Sequence, residues 1–356
     1  MKTLRLHFYH CCIPLLLVSM AFSQDPDYHI YLCFGQSNMA GAGTIEAQDQ
    51  TVDSRFQMME PIGCQNLNRT FGEWYPAVPP LWGCNGGIGP SDYFGRTMVD
   101  SLPSNIKIGV VVVAIPGCDI ALFFKSGYQG YDTYNYVPKK YGGSAYAWLL
   151  DLAKKAQQDG VIKGILLHQG ESNNSQRDWP EKVKGIYDNL ISELGLDGSQ
   201  TPLLVGEMLY QNAGGACYGH NSVIATVPDV IPNSHVISAE GLPGKDQFHF
   251  NSEGNRNFGI RYAQKMLTLL TVDDAIPVKR SKTFNENKPP YSFQKNGFEI
   301  RMNGSYEYRI AAVNGTMLER GKGKGVRKVG AKLATGVYLL SVINSEVKFT
   351  RKVLKR

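Results

Sequence analysis

The sequence lacks several things whose absence narrows the field. No apolar run approaches the ~18 residues that a membrane-spanning helix needs, so no span is expected in the mature chain. Collagen-like periodicity, long low-complexity tracts and internal repeats are absent. No CxxC pair and no Cys/His cluster with zinc spacing occurs, so a structural metal is not expected, and the chemistry read from the polar motifs below calls for no cofactor. Charged residues are only 19% of the 356 positions and hydrophobic residues 43%. That balance buries a sizeable core and excludes global disorder.

The net charge of +6 hides a strong asymmetry. Residues 1–23 carry Lys2 and Arg5 and no acid. Residues 24–278 carry 17 bases and 26 acids, a net of −9, whereas residues 279–356 carry 18 bases and 5 acids, a net of +13. An acidic body joined to a basic tail is the first sign of two modules.

The start of the chain has the grammar of a secretory signal peptide. A basic opening leads into the apolar stretch Cys11–Val18, followed by the small residues of Ala21-Phe22-Ser23. Pro14 argues against a buried first helix. The mature chain is therefore expected to begin near Gln24, outside the cytoplasm. Five cysteines then remain, and an odd number leaves at least one unpaired within the chain. Cys64 and Cys84 flank a loop rich in Pro, Gly and Trp, and a disulfide there suits an oxidising compartment. Cys118 with Cys217 is a second candidate pair, and Cys33 reads as a buried thiol.

Short apolar runs at His29–Phe34, Ile106–Ile115, Ile162–His168, Pro202–Met208 and Ser234–Glu240 predict strands. The second is almost continuous β-branched residue, as expected of a central parallel strand covered on both faces. Helical periodicity falls between and after them, at Tyr93–Leu102, Tyr146–Gln158, Glu181–Leu194 and Asn251–Leu270. This alternation predicts a three-layer α/β/α sandwich around a mostly parallel sheet over residues 24–271. Residues 272–297, rich in Pro, Lys and Asn, read as a linker. Residues 298–356 read as a small basic β module, with Val337–Ile343 and Val347–Leu354 forming a hairpin.

Polar motifs follow the predicted strands, where α/β sheets gather ligands. Gly35-Gln36-Ser37-Asn38-Met39 places a serine at a strand-to-loop turn, and such a hydroxyl becomes a nucleophile when a base removes its proton. Asp246-Gln247-Phe248-His249 supplies that base together with a carboxylate able to fix its tautomer. His168-Gln169-Gly170-Glu171-Ser172-Asn173 adds a second carboxylate, Glu171. Its amides Gln169 and Asn173, with Asn38, are candidates for oxyanion or substrate contacts. Gly89-Pro90 opens a helix and could aim the Gly89 N–H into the same site.

Taken together and in this order, GQSNM, the Gly-Pro helix start, HQGESN and DxxH resemble the SGNH hydrolase superfamily. More closely they resemble carbohydrate esterase family 6 and the sialate O-acetylesterase-like group, over about residues 27–270. The resemblance implies a flavodoxin-like sheet, Ser37 as nucleophile and His249 as general base. It implies Gly89, Gln169 and the Ser37 N–H as oxyanion donors, Gln169 standing where most of the superfamily has Asn. For the acid it leaves both Asp246 and Glu171, with local geometry favouring Asp246. The implied activity is that of a secreted esterase removing O-acetyl groups from plant polysaccharide, acetylated xylan foremost. Sialate O-acetylesterase activity is the same-chemistry alternative. A carbohydrate-binding or adhesion protein is the alternative of another class, against which the intact nucleophile, base and oxyanion set argues.

Trp74, Tyr75, Trp82, Tyr128, Tyr131, Tyr134 and Tyr136 are candidates for a sugar platform. The C-terminal module, through Leu333–Tyr338 and Thr350–Lys355, resembles sorting domains of the type IX secretion system, which implies secretion machinery as a partner. Its charge could bind phosphates non-specifically, but no recognition motif accompanies it and nucleic acid is not expected as a partner.

Overall fold

A computed structural model describes residues 24–127, 136–270, 291–294, 297–312, 317–334, 336–343 and 348–355. The expected signal segment 1–23 lies outside them, as do Tyr128, Tyr131 and Tyr134 and most of the expected linker.

The body is built on a seven-stranded sheet. Its strands are β1 (Asp25–Gly35), β2 (Phe56–Met59), β3 (Trp74–Pro76), β4 (Lys107–Ala114), β5 (Gly160–His168), β6 (Leu203–Gly206) and β7 (Ser234–Ile237). They run in the order β3-β2-β4-β1-β5-β6-β7, parallel except for β3 at one edge. The four-residue helix α1 (Ser37–Ala40) leaves β1 directly. Helices α2 (Pro90–Ser101) and α7 (Ser252–Leu269) pack together on one face, and α3 (Ala145–Ala156) and α4 (Trp179–Glu193) lie on the other. Two short helices, α5 (Asn221–Ile224) and α6 (Val227–Val230), precede β7. This is the expected sandwich, and β1 and β4 show why: from Ile30 to Phe34 and from Ile108 to Ala114 no side chain reaches solvent appreciably.

Strands β2 and β3 went unanticipated. They are three or four residues long and lie in Pro- and Gly-rich surroundings that read as loop. At the other edge β7 stops at Ile237, three residues short of the predicted end.

The second sheet is antiparallel and has its own core. It comprises β8 (Tyr291–Gln294), β9 (Gly297–Ala312), β10 (Met317–Val329), β11 (Gly336–Ile343) and β12 (Lys348–Lys355). Along β9, buried Phe298, Ile300, Met302, Tyr306, Tyr308 and Ile310 face a small apolar cluster, while Glu299, Arg301, Ser305, Glu307 and Arg309 face outward. Strand β8 lies inside the stretch expected to be linker, so the module begins earlier than the composition suggested. In β10, Gly321 and Gly323 sit opposite Tyr308 and Tyr306.

The disulfide Cys64–Cys84 is formed, with Cα atoms 5.2 Å apart. Cys118 and Cys217 are not paired with each other. Both are buried thiols outside any disulfide, as is Cys33, and their sulfurs lie against different carbonyl oxygens, of Gly35 and Glu171.

Candidate active site

The site lies at the carboxyl end of β1, between β4 and β5. Gly35 is in register with Ala114 on one side and His168 on the other, so three strands end level and their polar turns converge. The chain passes from β4 to β5 across β1, which makes this the switch point where open α/β sheets leave a crevice. Gly35 has φ +150, and a Cβ there would lie 2.0 Å from the His168 carbonyl oxygen. Only glycine lets the strand turn so close to its neighbour and deliver Ser37 to the edge.

Ser37 Oγ lies 2.8 Å from His249 Nε2. On the far side of the ring, Nδ1 lies 2.9 Å and 3.0 Å from the two Asp246 carboxylate oxygens. A carboxylate only accepts, so Nδ1 donates and Nε2 is left with its lone pair toward the serine hydroxyl. Asp246 Oδ1 also accepts the N–H groups of Phe248 and His249, at 2.8 and 2.9 Å. Burial alone would raise the Asp246 pKa, but these two N–H groups and the imidazole outweigh it and hold the carboxyl below its usual range. The carboxylate thus stays charged where it orients the base. Both groups remain open to solvent, His249 with 28% and Asp246 with 47% of its side chain exposed.

Glu171 does not touch His249. Its Oε1 accepts from Asn38 Nδ2 at 2.7 Å, and Asn38 in turn grips the histidine loop, donating to Phe248 O at 3.0 Å and accepting from Phe250 N at 3.1 Å. The structure therefore brings Ser37, His249, Asp246, Asn38 and Glu171 together, with Asp246 as the partner of the base.

The remaining oxyanion candidates are committed elsewhere, and these expectations are corrected. Gly89 N–H donates to Asp92 Oδ2 at 2.9 Å, closing the first turn of α2. What Gly89 supplies is room, since a Cβ there would lie 2.9 and 3.0 Å from the Asn38 and Met39 carbonyl oxygens. Gln169, fully buried, donates to Cys118 O at 3.2 Å and Asn173 Oδ1 at 2.6 Å, and accepts from the Trp179 indole at 2.6 Å. Asn173 donates to Asp119 Oδ2 and Gln176 Oε1, and accepts from Ile120 N. These amides knit the turn after β5 to the turn after β4. The Ser37 N–H, at the first position of α1, has no intrahelical acceptor.

Of the aromatic platform candidates, Tyr128, Tyr131 and Tyr134 lie outside the described residues, and Trp74, Tyr75 and Trp82 are engaged with other partners. Trp74 packs on Tyr28 and donates to Asp159, at the start of β1 and away from the site. The Tyr75 hydroxyl accepts the Thr70 N–H, and Trp82 is buried against Tyr136. The aromatic beside the base is Phe248, 38% exposed, its ring centroid 6.4 Å from the imidazole. Its place inside the DxxH motif was the signal that could have found it. Also missed was Gln36, whose oxygen accepts the Gly170 and Ser172 N–H groups and ties the turn after β5 to the nucleophile.

Among the described residues no group of three His, Cys, Asp or Glu side chains is disposed to hold a metal ion, and no described helix is long and apolar enough to cross a membrane.

A probable carbohydrate esterase of Arabidopsis thaliana is 26% identical over 258 residues, covering 69% of this chain and 93% of its own length. An Arabidopsis thaliana crystal structure superposes with a TM-score of 0.54 at 21% identity, over 68% of this chain and 99% of that one. The crystal structure of NanS gives 0.53 at 14%, over 68% and 98%. These two likenesses establish the shared fold. Residues 27–268 match the family described as carbohydrate esterase, sialic acid-specific acetylesterase, and the chain belongs to that family of carbohydrate acetylesterases.

Proposed function

We propose that Ser37, His249 and Asp246 carry out O-deacetylation of a polysaccharide, acetylated xylan foremost. The observation that carries this is the unbroken hydrogen-bonded chain from the serine hydroxyl through the imidazole to the carboxylate, in a member of a carbohydrate acetylesterase family. As Ser37 Oγ attacks the acetyl carbonyl, His249 Nε2 takes its proton. The Ser37 N–H stabilises the tetrahedral oxyanion. His249 then returns the proton to the departing sugar hydroxyl, leaving an acetyl-enzyme. Water, deprotonated by the same imidazole, releases acetate and restores the serine.

A polymeric substrate is supported by the openness of the site. His249, Asp246 and Phe248 all face solvent, so a chain can lie across them without entering an enclosed pocket. Sialate O-acetylesterase activity is the second reading. It is supported by the family and by Lys245, an exposed cation whose Nζ sits on the Ala42 carbonyl oxygen beside the triad loop and could face a sugar-acid carboxylate. Export belongs to the proposal too, resting on the signal-like segment 1–23 and on the basic module's resemblance to sorting domains.

Acetate release should be compared across acetyl-xylan, acetyl-mannan and O-acetylated sialic acid. Preference for acetyl-xylan is the expected result, and preference for the sialate would replace it with the second reading. No release from any of the three, with Ser37 inert toward aryl acetates, would overturn the esterase assignment for this chain.

A further inference from the structure

The base reaches the nucleophile across two loops that are 212 residues apart in sequence, and something must hold those loops in register. The Asp246–His249 turn is internally braced, because one carboxylate accepts two of the turn's own N–H groups and the imidazole. Its bracing fixes the imidazole within the turn. It does not fix the turn relative to Ser37.

We propose that Asn38 is the positioning residue that sets this approach, with Glu171 fixing which way its amide points. Asn38 follows the nucleophile directly and is fully buried. Its side chain brackets His249, gripping the carbonyl of the residue before it and the N–H of the residue after it. An asparagine amide can be rotated by half a turn with little change of shape, but the flipped form would set its oxygen against the Phe248 oxygen and its NH2 against the Phe250 N–H. Glu171 adds a second constraint on the same side. A carboxylate oxygen only accepts, so with Glu171 ionised the nitrogen must point to it, as it does at 2.7 Å.

The way Glu171 is held argues for this role. Its side chain is only 7% exposed, and Oε2 is buried with no hydrogen-bond partner. Behind it, the buried His168 directs Nε2 to the Glu207 carbonyl oxygen at 3.1 Å, while Nδ1, also without a partner, lies 3.9 Å from Glu171 Oε1. Under-satisfied polar atoms in a core oppose folding. An apolar side chain would fill this position at lower cost. The contact that distinguishes glutamate here is the one to Asn38.

The inference rests on the acyl-enzyme reading above, so its test reads Ser37 independently of any sugar ester. A fluorophosphonate probe is applied to the full chain, its attachment to Ser37 is mapped by mass spectrometry, and kcat and KM are measured on an aryl acetate. If the wild-type chain is not labelled, the nucleophile assignment fails. If it is labelled, the variants decide.

Asn38→Ala should lower both labelling rate and kcat on the order of 100-fold, the scale of a misplacement by about 1 Å, with KM nearly unchanged. Glu171→Leu should lower them about tenfold in the same pattern. Glu171→Gln, whose amide oxygen can accept from the same N–H, should recover most of that loss. In the Asn38→Ala background Glu171→Leu should cost nothing further, because its effect passes through Asn38. Should Asn38→Ala fail to fold, the near-isosteric Asn38→Asp must show the loss, since it has no N–H to give to Phe248 or Glu171. Equal losses from Glu171→Leu in both backgrounds, no recovery with Glu171→Gln, or full labelling in a folded Asn38 variant would each overturn the proposal.

Discussion

The turn holding Asp246 and His249 and the turn running from His168 to Asn173 invite comparison. Both follow strands, both are rich in polar side chains, and both border Ser37. The first is open to solvent and its groups point at the nucleophile. In the second, Gln169 and Asn173 are fully buried and spend their hydrogen-bonding capacity on one another and on neighbouring turns. Reactivity needs a group with a bond left to make, and rigidity needs groups with none. The two turns divide these tasks.

Substitutions should separate them. The largest effect is expected at the open end: Ser37→Ala or His249→Ala should cut kcat by about a millionfold, as when a triad acts as a unit, while the melting temperature barely moves. Asp246→Asn should lower kcat by up to about four orders of magnitude with little change in KM, because it leaves the wrong tautomer facing the serine. In the buried turn the pattern should invert. Asn173→Leu should destabilise the body by about 2–4 kcal/mol through the orphaned Ile120, Gln169 and Asp119 groups. Per folded molecule, its turnover should stay within a few-fold of normal. Denaturant titration beside active-site counting by the fluorophosphonate distinguishes the two patterns. A folded, fully stable Asn173 variant with severely reduced kcat would break the comparison.

A subtler effect comes from Asp92, buried under the Gly89 turn. Burial pushes its carboxyl up to about 7, with the Gly89 N–H opposing. The unfolded chain ionises this group near about 3.9, so between those values the unfolded state gives up the proton first. Stability contributed by the neutral carboxyl is therefore lost as pH rises from about 4 to about 7. Asp92→Asn should remove that loss, gaining on the wild-type chain by a few kcal/mol at pH 8 and converging with it near pH 4 in urea melts. The smallest effect is expected from removing the basic tail. A chain ending at Thr271 should retain turnover on an aryl acetate, and loss of activity in a truncation shown to be folded would tie the β module to the catalytic body.

The division between the turns also explains what could be read in advance. Ser37, His249 and Asp246 were legible because their chemistry is local: a strand stop at Gly35, and an acid three residues ahead of a base. The sandwich was legible because β1, β4 and β5 are buried on both faces and nearly uninterrupted in sequence. Gln169, Asn173 and Gly89 carried the right residue types for an oxyanion, but only three-dimensional contacts show that Trp179, Asp119 and Asp92 have already engaged them. Trp74 misled likewise, since a tryptophan reads the same in a binding loop as packed on Tyr28. Strands β2 and β3 are too short for alternation to register.

The Cys64–Cys84 link bears on what happens at the rim of the sheet. It closes a loop that contains β3, the three-residue strand ending the seven-strand order. An edge strand displays unpaired backbone groups that can recruit another chain, and shortness, a terminal proline and a tethered surround all blunt that tendency. A closed loop of this size is worth about 3 kcal/mol by chain entropy. Reduction would loosen the loop around β3, though β2 and the Trp74 contacts still hold the strand, and would leave the triad, on the other side of β4, in place. The reduced protein is thus expected to aggregate before it loses its chemistry, which light scattering beside aryl-acetate turnover under reductant would check.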